Sequence, residues 1–135
     1  MAVTKIHHIN FLVKDINEGV QRYSELFGIE GFVLDTLPGR GVITARAALG
    51  EQWLVLVQPL DAKSIPGKHM EKHGEGFFLI SYAVEDLAEA ASRVVLAGAA
   101  MTSSEPREGL LGWRVQDVAQ KTFGVQVQLC EDEPR

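Results

Sequence analysis

Apolar and polar positions alternate along Ile6–Val13, the two-residue period of an extended strand. Ile6, His8, Asn10 and Leu12 share one side, and His7, Ile9, Phe11 and Val13 take the other. The period then lengthens. Ile16, Val20, Tyr23 and Phe27 fall at helical spacing, Asp15 stands where the first free amides need an acceptor, and Gly28 suits a C-terminal cap. Strands are predicted near Gly31–Leu37, Gly41–Ala48 and Gln52–Gln58, parted by Pro38-Gly39 and Leu49-Gly50-Glu51.

The pattern then recurs. Phe77–Glu89 lies on Ile6–Glu18 at a constant offset of 71 residues: Ile9 on Ile80, Val13 on Val84, Asp15 on Asp86, Ile16 on Leu87, Glu18 on Glu89. Each copy leads an apolar strand into V-x-D-[IL]-x-E, where the Asp accepts from a first-turn amide and the Glu three residues on can reach back. A helix over Asp86–Ala97, then Gly98, precedes strands expected near Ala100–Ser104, Leu111–Val118 and Phe123–Cys130. At an offset of 70, Trp53, Val55, Val57 and Gln58 fall on Phe123, Val125, Val127 and Gln128. Between the copies, Pro59–Glu75 reads as a polar connector with one short helix around Lys68–His73. The expectation is an α+β fold of two paired βαβββ modules, residues 5–58 and 76–131, joined by a connector over 59–75 within a single domain spanning 1–135. Glu131–Arg135 is expected to be a frayed acidic tail.

Charge narrows the partners. Thirteen basic and 18 acidic residues leave a net charge of −5, which disfavours a nucleic-acid binder working through a basic patch. No basic leader followed by an apolar run opens the chain, and no stretch has membrane-spanning length. A lone cysteine, Cys130, permits no intrachain disulfide; a cytoplasmic protein with no membrane partner is expected.

Strand parity sorts the rest. Ile43, Ala45, Ala47, Trp53, Val55, Val57, Val125, Val127 and Leu129 are assigned to the faces beneath the helices. The opposite faces carry His8, Asn10, Thr44, Arg46, Gln58, Ser81, Arg114, Gln116, Gln126 and Gln128. A buried amide without a partner costs about 1–3 kcal/mol, so these groups should have a ligand, a water or each other. The pseudo-symmetric placement of His8, Gln58 and Gln128 favours a small-molecule site. A solvated sheet face with no ligand fits Arg46, Arg114 and Gln116 equally well.

Several side chains carry two readings. His8, with an ordinary pKa near 6.5, can move a proton or can be a hydrogen-bonded histidine. His7, on the other face, reads as a packed or edge residue. His69 and His73, at i and i+4, could clip a metal but fit a solvated connector better. Arg46 and Arg114 can grip a carboxylate or phosphate, or be exposed strand-tip residues. Trp113 can wall the polar face or fill the core, its parity favouring the core, and Cys130, on the face of Gln126 and Gln128, is assigned to an inert buried thiol. Gly39, Gly41, Gly109 and Gly112 lie near turns and form no phosphate loop.

Together these residues resemble the vicinal oxygen chelate superfamily, which includes glyoxalase I, extradiol dioxygenases, bleomycin-resistance proteins and methylmalonyl-CoA epimerase. Glu71–Gly76, EKHGEG, and the stretch from Gly124-Val125 through Gln128-Leu129-Cys130-Glu131 are similar to the epimerase branch. The resemblance implies an eight-stranded cup with helices on its convex face, a homodimer, and a divalent metal held by four strand residues. Those positions fall on His8, Gln58, Leu79 and Gln128, where the epimerase pattern has His, Gln, His and Glu. Leu79 has no lone pair and Gln128 no charge, so a tightly bound metal is not expected. A weak divalent ion, if held, would use His8, Gln58 and Gln128. In VLDTLPGRGV, where the family's other base is sought, only Asp35 is acidic.

Two functions follow. One is an isomerase, epimerase or lyase acting on a small carbonyl compound or CoA thioester, without metal or weakly dependent on it. His8 would move the proton while Gln58, Gln128 and Asn10 hold the oxygen. The alternative is a non-catalytic protein that sequesters a small molecule.

Overall fold

In the computed structural model, which describes residues 2–131, both repeated aspartates cap a helix. Asp15 and Asp86 are extended, and their Oδ1 atoms accept the amide hydrogens of Glu18 and Glu89, each at 3.0 Å. Strand β1 (Val3–Leu12) leads into the first of these helices, α1 (Ile16–Phe27), which ends on Gly28 in the left-handed conformation. Strands β2 (Val33–Leu37), β3 (Val42–Leu49) and β4 (Gln52–Pro59) follow. Helix α2 (Ile65–His73) starts earlier than predicted, because the Ser64 side chain accepts from Gly67 N and Pro66 sits in the first turn. Then come β5 (Gly76–Val84), α3 (Leu87–Leu96), β6 (Arg107–Glu108), β7 (Arg114–Asp117) and β8 (Gln126–Glu131). Among the described residues, no helix is long and apolar enough to cross a membrane.

The chain forms two compact units, and β1 is divided between them. In the unit Ile9–Phe78 the strand order is β2-β3-β4-β1, with β2–β3 and β3–β4 antiparallel. Ile16 of α1 packs with Ala45 and Leu56, flanked by Phe11, Val13, Val20, Tyr23 and Ile43. Gly19 permits that closeness: a Cβ there would stand 3.2 Å from Val13 and 3.3 Å from Leu56. In the other unit, which takes β1 up to His8 and the chain from Leu79 onward, the order is β1-β5-β8-β7-β6, with β5 and β8 parallel. There Leu87 and Ala90 of α3 pack on Val84 and Leu129, with Val3, Tyr82, Val94 and Met101 around them.

Register corrects one face assignment. Ala45 lies opposite Leu56, and Ile43 opposite Gln58, so the even-numbered side chains of β4 lie beneath α1. Trp53, Val55 and Val57 belong to the other face, level with Ala48, Arg46 and Thr44.

Two strand predictions also shift. Ala100–Ser104 makes only a single bridge, Met101 with Val118, because Ser103 turns its hydroxyl onto the Glu105 carbonyl and the local bond displaces a ladder. Phe123 and Gly124 have φ of 50° and 78° and form a tight turn closed by Thr122 and Val125, so β8 begins at Gln126. Glu131 is the last residue of β8, and the rest of the expected acidic tail lies outside the described residues.

Candidate functional site

Strand β8 organises the polar side chains of its unit. Gln128 lies opposite Ser81 on β5 and Asp117 on β7; Cys130 lies opposite Ala83 and Val115. Leu129, between them, faces α3, so Gln128 and Cys130 face away from it. Gln128 and Ser81 are 4% and 0% exposed. Gln128 Nε2 donates to Asp117 Oδ1 at 3.1 Å, whereas Gln128 Oε1 and Ser81 Oγ are buried without a hydrogen-bond partner among the described residues. Native folds rarely leave buried acceptors so, and such groups suit a ligand that brings its own donors.

His8 closes this face from β1. Its ring is stacked on Trp113, centroids 4.9 Å apart and planes 25° from parallel. The His7 ring meets the same Trp113 edge-on at 4.5 Å. Strict alternation sends His7 to the opposite face, yet the two histidine Nδ1 atoms lie 2.8 Å apart, so one ring donates and the other accepts. Burial pushes the His8 pKa down to about 3; the neighbouring His7 adds to the fall, and Gln128 beside it works the other way. His8 is therefore a neutral imidazole at neutral pH. Cys130 completes the group: one ligand atom from each of His7, His8 and Cys130 lies within 4.8 Å of the others, and all three residues are buried. Sequence reasoning passed over Asp117 and gave Trp113, His7 and Cys130 packing or edge roles. Of these only Cys130, by its parity with Gln128, carried a hint in the sequence.

The remaining expected residues scatter. Gln126, also in this unit, donates to the Val118 carbonyl at 3.3 Å. Gln116 lies opposite Leu129, on the α3 side, and donates to the Ser103 carbonyl at 2.7 Å. Arg114, of the same parity, is exposed and paired with Glu131. In the other unit, Arg46 is buried and paired with Asp35, so neither the anion-gripping cation nor the sought carboxylate is uncommitted. Thr44 reaches the Asp35 carbonyl at 3.4 Å. Asn10 leaves its Oδ1 buried and unpartnered. Gln58 is corrected outright: it lies on the α1 face, and its Oε1 accepts from Ile16 N at 2.9 Å. His69 and His73 stack on α2 with centroids 4.6 Å apart, and His69 also meets Phe78.

The four metal positions suggested by the resemblance do not suit a divalent ion. Leu79 is a buried hydrocarbon, the Gln58 oxygen is spent on a helix start, and no carboxylate is among them.

Known proteins agree on the fold. A methylmalonyl-CoA epimerase, solved with methylmalonyl-CoA and NH4+, superposes with a TM-score of 0.91 at 28% identity, covering 97% of this chain and 96% of that one. The ethylmalonyl-CoA/methylmalonyl-CoA epimerase of Cereibacter sphaeroides is 29% identical, over 90% of this chain and 92% of its own length. The uncharacterized protein YqjC of Bacillus subtilis (strain 168) is 26% identical, over 96% and 93%. The fold is α+β, that of the epimerases, and an enzyme of the isomerase or epimerase kind is the reading these neighbours support. Residues 7–116 match the model of the glyoxalase/bleomycin resistance protein/dioxygenase superfamily, and the chain belongs to that superfamily.

Proposed function

We propose that the chain moves a proton on the carbon beside the carbonyl of a small carbonyl compound or CoA thioester, as an epimerase does. The observation that carries this reading is the pair of buried, unpartnered oxygens on adjoining strands, Ser81 Oγ and Gln128 Oε1, beside a neutral His8. The Ser81 hydroxyl can donate to an oxygen that gains charge as the proton leaves, while Gln128 Oε1 accepts from a donor of the bound compound. His8, unprotonated at neutral pH, supplies the nitrogen that accepts the proton and returns it. A pKa of about 3 makes it a weak base, so polarisation of the bound carbonyl must supply much of the driving force. Epimerase relatives that span nearly the whole chain support the substrate class. A cytoplasmic homodimer is part of the same reading, to be measured by light scattering.

The low basicity of His8 also favours a second reading, a protein that binds such a compound without turning it over. Deuterium exchange separates the two. Incubated in D2O with methylmalonyl-CoA, other acyl-CoA thioesters and 2-oxo acids, the chain should place deuterium beside the carbonyl of at least one. His8→Ala should slow that exchange by about 10²-fold or more. Saturable binding with no exchange from any compound would establish the binding protein instead.

A further inference from the structure

We infer that His7, His8 and Cys130 form a site for a borderline-soft divalent cation of the zinc class. The three residues are 6%, 4% and 0% exposed, come from β1 and β8, and bring one donor atom each to within 4.8 Å of the others. Two imidazoles and a thiolate are the donor set that selects zinc-like ions over the hard cations a carboxylate cage prefers. A tetrahedral ion with such bonds holds its donors roughly 3.3–3.6 Å apart. The 2.8 Å between the two Nδ1 atoms must open slightly and the sulfur close in, both within reach of side-chain rotation.

A second observation points the same way. Gln128, two residues from Cys130 on the same face of β8, lies against His8 and keeps Oε1 buried and unpartnered, an oxygen available for a fourth position. Trp113 walls both imidazoles and would fix their planes from outside. Binding displaces one proton: the thiol becomes thiolate and releases its hydrogen to solvent. The ring that donates through Nδ1 moves that hydrogen to Nε2, so both imidazoles ligate as neutral groups. No electron changes hands. Two of the three donors, His7 and Cys130, lie outside the four positions the resemblance suggested.

A cation on His8 would occupy the nitrogen that the proton-transfer reading uses as base, so the two describe separate metal-loaded and metal-free states. The test uses no carbonyl compound, so either can fail alone. Chelator-stripped protein is titrated with Co2+ without oxygen and followed by absorption spectroscopy. One cobalt per chain, a thiolate-to-cobalt charge-transfer band, the visible intensity of four-coordinate cobalt, and displacement by Zn2+ are expected. Cys130→Ser should abolish the charge-transfer band, and His7→Gln should weaken binding at least tenfold, each variant checked for its fold by circular dichroism. Should the variants not fold, X-ray absorption on zinc-loaded wild type must find one sulfur and two imidazole nitrogens. Sub-stoichiometric uptake, cobalt without a thiolate band, or binding indifferent to His7→Gln in folded protein would overturn the site.

Discussion

Gln58 Oε1 accepts the backbone N–H of Ile16 across 2.9 Å, fastening the end of β4 to the first turn of α1. Gln58→Ala should therefore cost about 1 kcal/mol of stability, in line with one partly buried hydrogen bond. Deuterium exchange into substrate should be unchanged. Chemical denaturation and the exchange assay read the two halves of this expectation, and a large loss of exchange in a well-folded variant would return Gln58 to the site.

The two helix caps make a matched pair. Asp15→Ala and Asp86→Ala each remove an acceptor from a first-turn amide, Glu18 N and Glu89 N, and each should cost about 1 kcal/mol. Asn at either position should recover most of the loss. Thermal melts of the four variants suffice.

Protonation of His8 should unfold the protein. With a folded pKa of about 3 against an ordinary 6.5, the unfolded chain takes a proton through this window that the fold refuses. Stability is complete above pH 6.5 and falls as the pH drops toward 3, by about 1.4 kcal/mol per unit from this group. Urea titrations from pH 8 to pH 4 should give that slope, and His8→Gln should flatten it. Equal slopes in both proteins would place the acid sensitivity elsewhere.

Gly67→Ala should disrupt α2. A Cβ at that position would clash with the Asp61 carbonyl oxygen and stand 3.0 Å from the Ala62 Cα, both backbone. Relief requires Asp61–Ser64 to move, undoing the Ser64 cap, at a cost of roughly 2 kcal/mol or more. Faster hydrogen exchange at the amides of Lys68 and Gly74 would show it.

Much of the fold was legible because capping is local chemistry: an Asp followed three residues later by a Glu marked both α1 and α3, and each begins within one residue of it. The face of a strand is not local. Gln58 was assigned wrongly because its neighbour across the ladder, Ile43, is set by register, and no spacing within β4 reveals register. His7 was set apart from His8 for a related reason: alternation placed it on the opposite face, but both rings rest on Trp113. The offset that laid Phe123 on Trp53 matched residue types while the backbones differ, strand at Trp53 and left-handed turn at Phe123. His8, Ser81 and Gln128 were singled out because polar residues at alternate positions in apolar strands stand out; their commitment to particular atoms was not visible.

The complete enclosure of Cys130, none of whose surface meets solvent, turns the chain's single sulfhydryl into a clock. Alkylating reagents can reach it only when the protein opens around it, so the labelling rate in a brief pulse reports how often that face of β8 is uncovered. Mass spectrometry of such pulses would time that opening without any engineered probe.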